Sequence, residues 1–70
     1  GVDAVGRKVT EEATEVLLAA KDDAVASSDA TRVALAGEAA DLLYHALVLL
    51  AARGLPPAAV IDTLRGRHGR

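Results

Sequence analysis

The chain has 70 residues, of which 51% are hydrophobic and 26% charged, with Tyr44 as its one aromatic residue. Its net charge of −2 has the wrong sign for a nucleic-acid-binding protein. The absence of cysteine excludes disulfides and thiolate metal sites, so a metal ligand here must offer oxygen or imidazole nitrogen. Because a chain this small buries only about 60% of its unfolded surface, we expect a second subunit, in a homodimer or larger assembly, to cover the surplus Ala, Leu and Val.

The longest uninterrupted apolar run, residues 46–52, is short beside the roughly 20 residues of a membrane-spanning helix. No secretory signal pattern is present. These features predict a soluble, intracellular protein of the cytoplasm that binds neither membrane nor nucleic acid. The sequence begins with Gly1 rather than methionine, and we expect that residues upstream have been removed or left out.

The chain is predicted to form a single all-α domain over residues 1–70. In the first helix, residues 2–22, apolar residues recur at helical spacing, and Lys8, Glu12 and Glu15 lie on a neighbouring stripe. Residues 23–29, rich in serine and aspartate, have the composition of a turn that supplies an N-cap.

The second predicted helix covers residues 29–53, with Gly54 as the residue that follows its end. This helix is the longest and most apolar of the chain. A helix that is apolar on nearly all sides is buried on nearly all sides, which again favours a dimer. Glu38, Asp41 and His45 share its one polar face, and burying such a face is costly unless it has a function.

A third helix is predicted over residues 58–66, with Pro57 in its first turn. The basic segment 65–70 is expected to be a frayed tail. The inward face of this helix is predicted to consist of three apolar residues, Val60, Ile61 and Leu64.

Two acidic clusters lie in this apolar background, EEATE at residues 11–15 and EAAD at residues 38–41. Within each cluster two carboxylates three positions apart project from one face of a helix. Two such helices side by side would bring four carboxylates to one point, where they repel one another unless a cation lies among them. Because Mg²⁺ prefers oxygen ligands, the pattern predicts a magnesium site and phosphate chemistry.

A non-catalytic interpretation stands beside this one. Paired acids three positions apart are common on solvated helices, and a histidine such as His45 is more often a hydrogen-bonded core residue than a ligand. The chain would then be a helical dimerisation module whose stability does not depend on Mg²⁺.

The sequence resembles the phosphoribosyl-ATP pyrophosphohydrolases, which carry out the second step of histidine biosynthesis. The resemblance covers nearly the whole chain, and its most specific parts are ADLLYH at residues 40–45 and LVLLAARGL at residues 47–55. The family belongs to the all-α, MazG-type nucleoside triphosphate pyrophosphohydrolases. Their signature is EExxE followed by ExxD, and both halves occur here.

The resemblance implies Mg²⁺-dependent hydrolysis of phosphoribosyl-ATP to phosphoribosyl-AMP and pyrophosphate, in a helical bundle that dimerisation completes. Glu11 matches the remaining acid of the first motif, and Glu11 or Glu12 is the candidate general base. Lys8 matches a basic position and is the candidate substrate-binding residue. Four acids match the metal-binding positions of the family: Glu12, Glu15, Glu38 and Asp41.

The chain departs from the family pattern at Thr10, where glycine is usual, and at Gly37, where many members have glutamate; neither change removes a proposed ligand. Family members have a further helix before Lys8, and we expect that helix to be missing from this sequence. Both a free-standing enzyme and a fusion with phosphoribosyl-AMP cyclohydrolase fit the pattern. A house-cleaning pyrophosphatase of canonical or modified deoxynucleoside triphosphates is the other catalytic interpretation, which substrate profiling separates.

Overall fold

The computed structural model describes residues 1–69 and contains three helices, α1 (Val2–Val25), α2 (Asp29–Ala52) and α3 (Pro57–His68). No strand occurs among these residues, which confirms the all-α prediction. α1 extends three residues beyond its predicted end, so Asp23, which had been assigned to the turn, is helical. α3 continues to His68, so the expected frayed tail is helical as far as that residue. The basic residues in its last turn stabilise the helix because they lie near the negative end of its dipole. Arg70 lies outside the described residues.

The connection between α1 and α2 is short, and a capping box fixes the start of α2. The Ser28 side chain accepts a hydrogen bond from the Thr31 backbone N–H at 3.1 Å, and the Ser28 N–H donates to the Thr31 hydroxyl at 2.8 Å. Both bonds satisfy backbone donors that a helix start would otherwise leave free. A connection of this length makes α1 and α2 antiparallel neighbours.

Gly54 ends α2 as predicted. Its φ of 72° lies in the left-handed region, which glycine adopts without steric cost. The N–H groups of Gly54 and Leu55 donate to the carbonyls of Ala51 and Leu50, both at 2.9 Å, in the pattern of a Schellman motif. Proline then occupies the first position of α3, where its missing N–H costs nothing.

The helices lie in one flat layer, with overall extents of 40 × 36 × 14 Å. α1 packs along α2, whereas α3 makes little contact with either. No side chain within residues 1–69 is fully buried. The prediction that α3 turns its apolar residues inward is therefore wrong for a single chain, since Ile61 and Leu64 stay about half exposed. Likewise, α2 is not enclosed, and Leu43 and Leu47 face outward.

By length and composition alone, α2 could cross a membrane, with a hydropathy of 1.6 over its most apolar part. The longest apolar run did not indicate this property of α2, because apolar residues on both sides of the acids contribute to the average. One helix of this kind says little, since the core helices of soluble proteins and signal sequences can have the same length and apolar composition. Asp41 lies near the middle of α2, where an aspartate costs roughly 2.5–3.5 kcal/mol for membrane insertion.

Candidate metal centre

Three carboxylates from the two acidic clusters converge where α1 packs against α2. Glu12 of α1 and Glu38 and Asp41 of α2 each offer an oxygen, and these oxygens lie within 4.8 Å of one another. We call these three residues the carboxylate trio. Glu38 and Asp41 share a face because they are one helical turn apart, and the hairpin brings Glu12 to them across the helix interface. Three of the four acids that the sequence proposed as metal ligands are thus brought together.

Glu15, the fourth proposed ligand, lies outside the trio but close enough to affect it. The pKa of Glu38 is raised above its ordinary value, first because partial burial disfavours the charged carboxyl and then because of the negative charges of Glu15, Asp41 and Glu12. Among those three charges, Glu15 has the largest effect. All four acids therefore share one electrostatic environment.

Lys8 is the cation that contacts this region. Its Nζ lies 3.4 Å from Glu12 and 3.7 Å from Glu11, one turn along α1. The Glu12 side chain is only 13% exposed, whereas Lys8 and Glu11 are half exposed. Within residues 1–69 no basic side chain pairs with Glu38 or Asp41. The negative charges of the trio thus exceed the positive charge available from the protein, an imbalance that a divalent cation would correct.

The chemistry of the trio fits Mg²⁺. All three donors are carboxylate oxygens, the hard ligands that Mg²⁺ prefers, and two oxygens on opposite sides of one Mg²⁺ are about 4.2 Å apart. Small side-chain rotations would bring the trio, whose oxygens lie within 4.8 Å, around one ion. A few protein carboxylates leave the remaining positions for water and phosphate oxygens.

The other residues proposed for the site have different surroundings. Glu11 contacts Lys8 and is not part of the trio. The Nδ1–H of His45 donates to the main-chain oxygen of Asp41 at 2.8 Å, and its ring meets Tyr44 edge-on with centroids 5.1 Å apart. These contacts support a packing role for His45 rather than a ligand role. No enclosed pocket forms within residues 1–69, and the trio is partly accessible to solvent, because Asp41 is exposed while the Glu12 side chain is largely covered.

The structural role of one residue, Asp23, was not predicted from the sequence. Asp23 was assigned to the turn, but it lies in α1 and bonds to three side chains at the start of α2 or just before it. The Ser-x-x-Thr pattern of residues 28–31 was the signal that could have located this contact, because it marks a helix start whose hydroxyl groups form hydrogen bonds.

Comparisons with known proteins extend over the whole chain. A family model described as phosphoribosyl-ATP pyrophosphohydrolase matches residues 2–68. The chain is similar to the histidine biosynthesis bifunctional protein HisIE of Deinococcus radiodurans, at 50% identity over 70 residues that make up 100% of this chain and 29% of that protein. It also resembles the phosphoribosyl-ATP pyrophosphatase of Listeria monocytogenes serotype 4a, at 44% identity over 100% of this chain and 60% of the relative.

The phosphoribosyl-ATP pyrophosphatase of Burkholderia ambifaria is 51% identical over 69 residues, which cover 99% of this chain and 54% of the relative. The chain therefore spans less than two thirds of the length of each of these relatives. No solved structure matches it.

Proposed function

The chain belongs to the phosphoribosyl-ATP pyrophosphohydrolase family, and on this premise we propose that the protein hydrolyses phosphoribosyl-ATP to phosphoribosyl-AMP and pyrophosphate in the cytoplasm, as a step of histidine biosynthesis. The observation that carries the proposal is the carboxylate trio. Its three acids come from the two motifs, EExxE and ExxD, and lie within 4.8 Å of one another. Such an arrangement suits an enzyme that binds a metal together with a polyphosphate.

The trio would hold Mg²⁺, and Glu15 would add a fourth carboxylate to its surroundings. When bound, the ion supplies positive charge against the phosphate oxygens and orients a water molecule for attack. Lys8 is proposed to contact a substrate phosphate, since its half-exposed ammonium can leave Glu11 and Glu12 for a more highly charged anion.

A carboxylate must take the proton from the attacking water, and Glu11 and Glu12 are the candidates. Glu12 belongs to the trio and would be committed to the metal. Glu11 lies next to it in the chain, is half exposed and, among the charged side chains of residues 1–69, forms an ion pair only with Lys8. We therefore propose Glu11, which is not part of the trio, as the acceptor of the proton at a carboxylate oxygen.

Glutamine substitutions at these two positions should separate the roles. We expect Glu11→Gln to lower kcat by about 100-fold or more, the usual contribution of a general base, with the affinity for Mg²⁺ unchanged. Glu12→Gln should weaken Mg²⁺ binding as well as kcat. Steady-state kinetics at several Mg²⁺ concentrations measure both quantities. A Glu11→Gln variant with the kcat of the parent would assign the base to Glu12 instead.

The alternative substrate class is a canonical or modified deoxynucleoside triphosphate. The ADLLYH segment and the names of the relatives favour phosphoribosyl-ATP. We expect kcat/KM for phosphoribosyl-ATP to exceed that for each of the common nucleoside triphosphates by orders of magnitude in a side-by-side assay. Comparable turnover of a deoxynucleoside triphosphate would contradict this choice and support a house-cleaning enzyme.

We further propose that the functional unit is a homodimer. The chain exposes 5324 Å², whereas a compact monomer of 7.1 kDa exposes about 4,100 Å². The excess, about 1,200 Å², is comparable with or larger than the roughly 800 Å² that each partner buries in an ordinary stable interface. A stable domain also needs at least two packed layers of helices, and a single chain forms one layer. A second copy would supply the other layer.

A further inference from the structure

All side-chain hydrogen bonds between α1 and α2 in the described residues end on one carboxylate. Asp23, in the last turn of α1, accepts a hydrogen bond from the Thr31 hydroxyl at 2.8 Å through Oδ1 and one from Arg32 Nη1 at 3.1 Å through Oδ2. The Ser27 hydroxyl, in the connection, donates to the same Oδ1 at 3.0 Å. We call these four residues the Asp23 clamp.

The Asp23 clamp shares one residue, Thr31, with the capping box at the start of α2. The Thr31 hydroxyl that donates to Asp23 also accepts the Ser28 N–H in the capping box. The Asp23 side chain is 13% exposed, and its pKa is lowered, first by the Thr31 hydrogen bond and also by Ser27 and Arg32, against the opposing effect of partial burial. Asp23 is therefore an ionised acceptor, and hydrogen bonds to an ionised acceptor are the stronger kind.

The clamp and the carboxylate trio lie on the same faces of the two helices. Asp23 follows Glu12 by eleven residues, close to three full turns, and Glu38 follows Thr31 by seven, close to two. The two contacts are therefore about 16 Å apart along α1 and about 10 Å apart along α2. A rotation of α2 that separates Glu38 from Glu12 would also pull Thr31 away from Asp23.

The forces at the two places are opposite in sign. Attraction holds the helices together at the clamp, whereas like charges at the trio push them apart. No fully buried side chain within residues 1–69 fixes the rotation by packing. The clamp is the specific attractive contact that opposes the repulsion.

We propose that Asp23 is a positioning residue whose bonds to Thr31 and Arg32 fix the rotation of α2 against α1 and so hold Glu12 within reach of Glu38 and Asp41 for a shared divalent ion. This inference rests on the proposed metal site. It extends that site to Asp23, about three turns from Glu12 along α1, and to Thr31, about two turns from Glu38 along α2, neither of which would contact the ion.

The test compares Asp23→Asn and Thr31→Val with two matched controls. Asp62→Asn makes the same charge change on α3, where the side chain is 75% exposed and, within residues 1–69, pairs only with Arg65 of the same helix. Thr31→Ser keeps the hydroxyl that Thr31→Val removes. Calorimetric titration with Mg²⁺, at a temperature where every variant is folded, should show affinity reduced roughly fivefold in Asp23→Asn and Thr31→Val. The two controls should match the parent protein. A lower melting temperature in Asp23→Asn with unchanged Mg²⁺ affinity would overturn the proposal.

A second measurement is independent of the metal. Because the chain has no cysteine, Thr14→Cys and Ala40→Cys can carry a pair of spin labels, one on the exposed surface of each helix. Diluting labelled with unlabelled protein restricts the measured distance to one chain. Asp23→Asn should broaden or shift the distance distribution, and Asp62→Asn should not. An unchanged distribution would overturn the proposal, whereas a parent protein that binds no Mg²⁺ would overturn the proposed function and leave this measurement to decide the role of Asp23.

Discussion

Replacing Glu38 by glutamine should raise the melting temperature of the metal-free protein and at the same time lower its Mg²⁺-dependent activity by at least about 100-fold. The loss of activity follows from removing a proposed ligand of an ion that contributes several kcal/mol to transition-state stabilisation. The gain in stability follows from removing a charge that partial burial disfavours and that Glu15, Asp41 and Glu12 repel.

The sign of the stability effect depends on pH. The folded chain raises the pKa of Glu38 above its ordinary value of 4.5, so ionising Glu38 opposes folding. Stability from this group is fullest below pH 4.5 and is lost as the pH rises through the raised pKa. The glutamine variant should therefore be more stable than the parent at pH 8, with a smaller difference at pH 4.

Thermal melts at both pH values, with and without Mg²⁺, measure these effects. Added Mg²⁺ should raise the melting temperature of the parent protein but not that of Glu38→Gln, because the proposed site needs the complete trio in the folded protein to bind the ion. All four glutamates of the chain belong to the two motifs, so the matched control is Asp62→Asn, on the exposed surface of α3. If Mg²⁺ raised the melting temperatures of the parent and of Glu38→Gln equally, the trio would not be the binding site.

Replacing Leu47 by aspartate should dissociate the dimer and unfold much of the protein. Leu47 follows Glu38 by nine residues, which places it on the opposite side of α2 from the trio, and it is exposed in the single chain. In a dimer that covers this side, the change forfeits the roughly 1.5–3 kcal/mol of burying a leucine and adds the cost of burying a charge. Domains of this size have only about 3–10 kcal/mol of total stability.

Sedimentation and melting at several protein concentrations test this expectation. The parent protein should sediment as a dimer and melt at higher temperature as its concentration rises. Val25→Asp, at the exposed end of α1, is the matched control and should remain dimeric. A monomeric parent protein, or a Leu47→Asp variant that stays dimeric and stable, would contradict the proposed assembly.

Much of the fold was predictable because local signals agree with one another. Gly54 followed by two prolines defined the break between α2 and α3, and the serine-rich segment located the start of α2. The ends of α1 and α3 were misjudged by a few residues. Asp23 supports α1 through side-chain contacts with the start of α2. No pattern within α1 itself predicts those contacts.

The acidic residues of the candidate site could be predicted from the sequence, but which of them lie closest together could not. The spacing of Glu38 and Asp41 fixed their common face, and helix periodicity offered Glu12 and Glu15 equally. The rotation of α1 against α2 then selected Glu12 for the trio and left Glu15 beside it. That rotation depends on interhelical contacts such as the Asp23 clamp. The burial expected for α2 and α3 was not found in one chain, which forms a single helix layer; the proposed dimer would provide a second.

The most direct test of the central claim is pyrophosphate release from phosphoribosyl-ATP while Mg²⁺ is titrated into metal-free protein. We expect release to be absent without the ion, to saturate as Mg²⁺ is added, and to yield phosphoribosyl-AMP in equal amount. Release that does not depend on Mg²⁺, or no release from a protein that is folded and dimeric, would contradict the claim that the carboxylate trio forms the metal centre of a phosphoribosyl-ATP pyrophosphohydrolase.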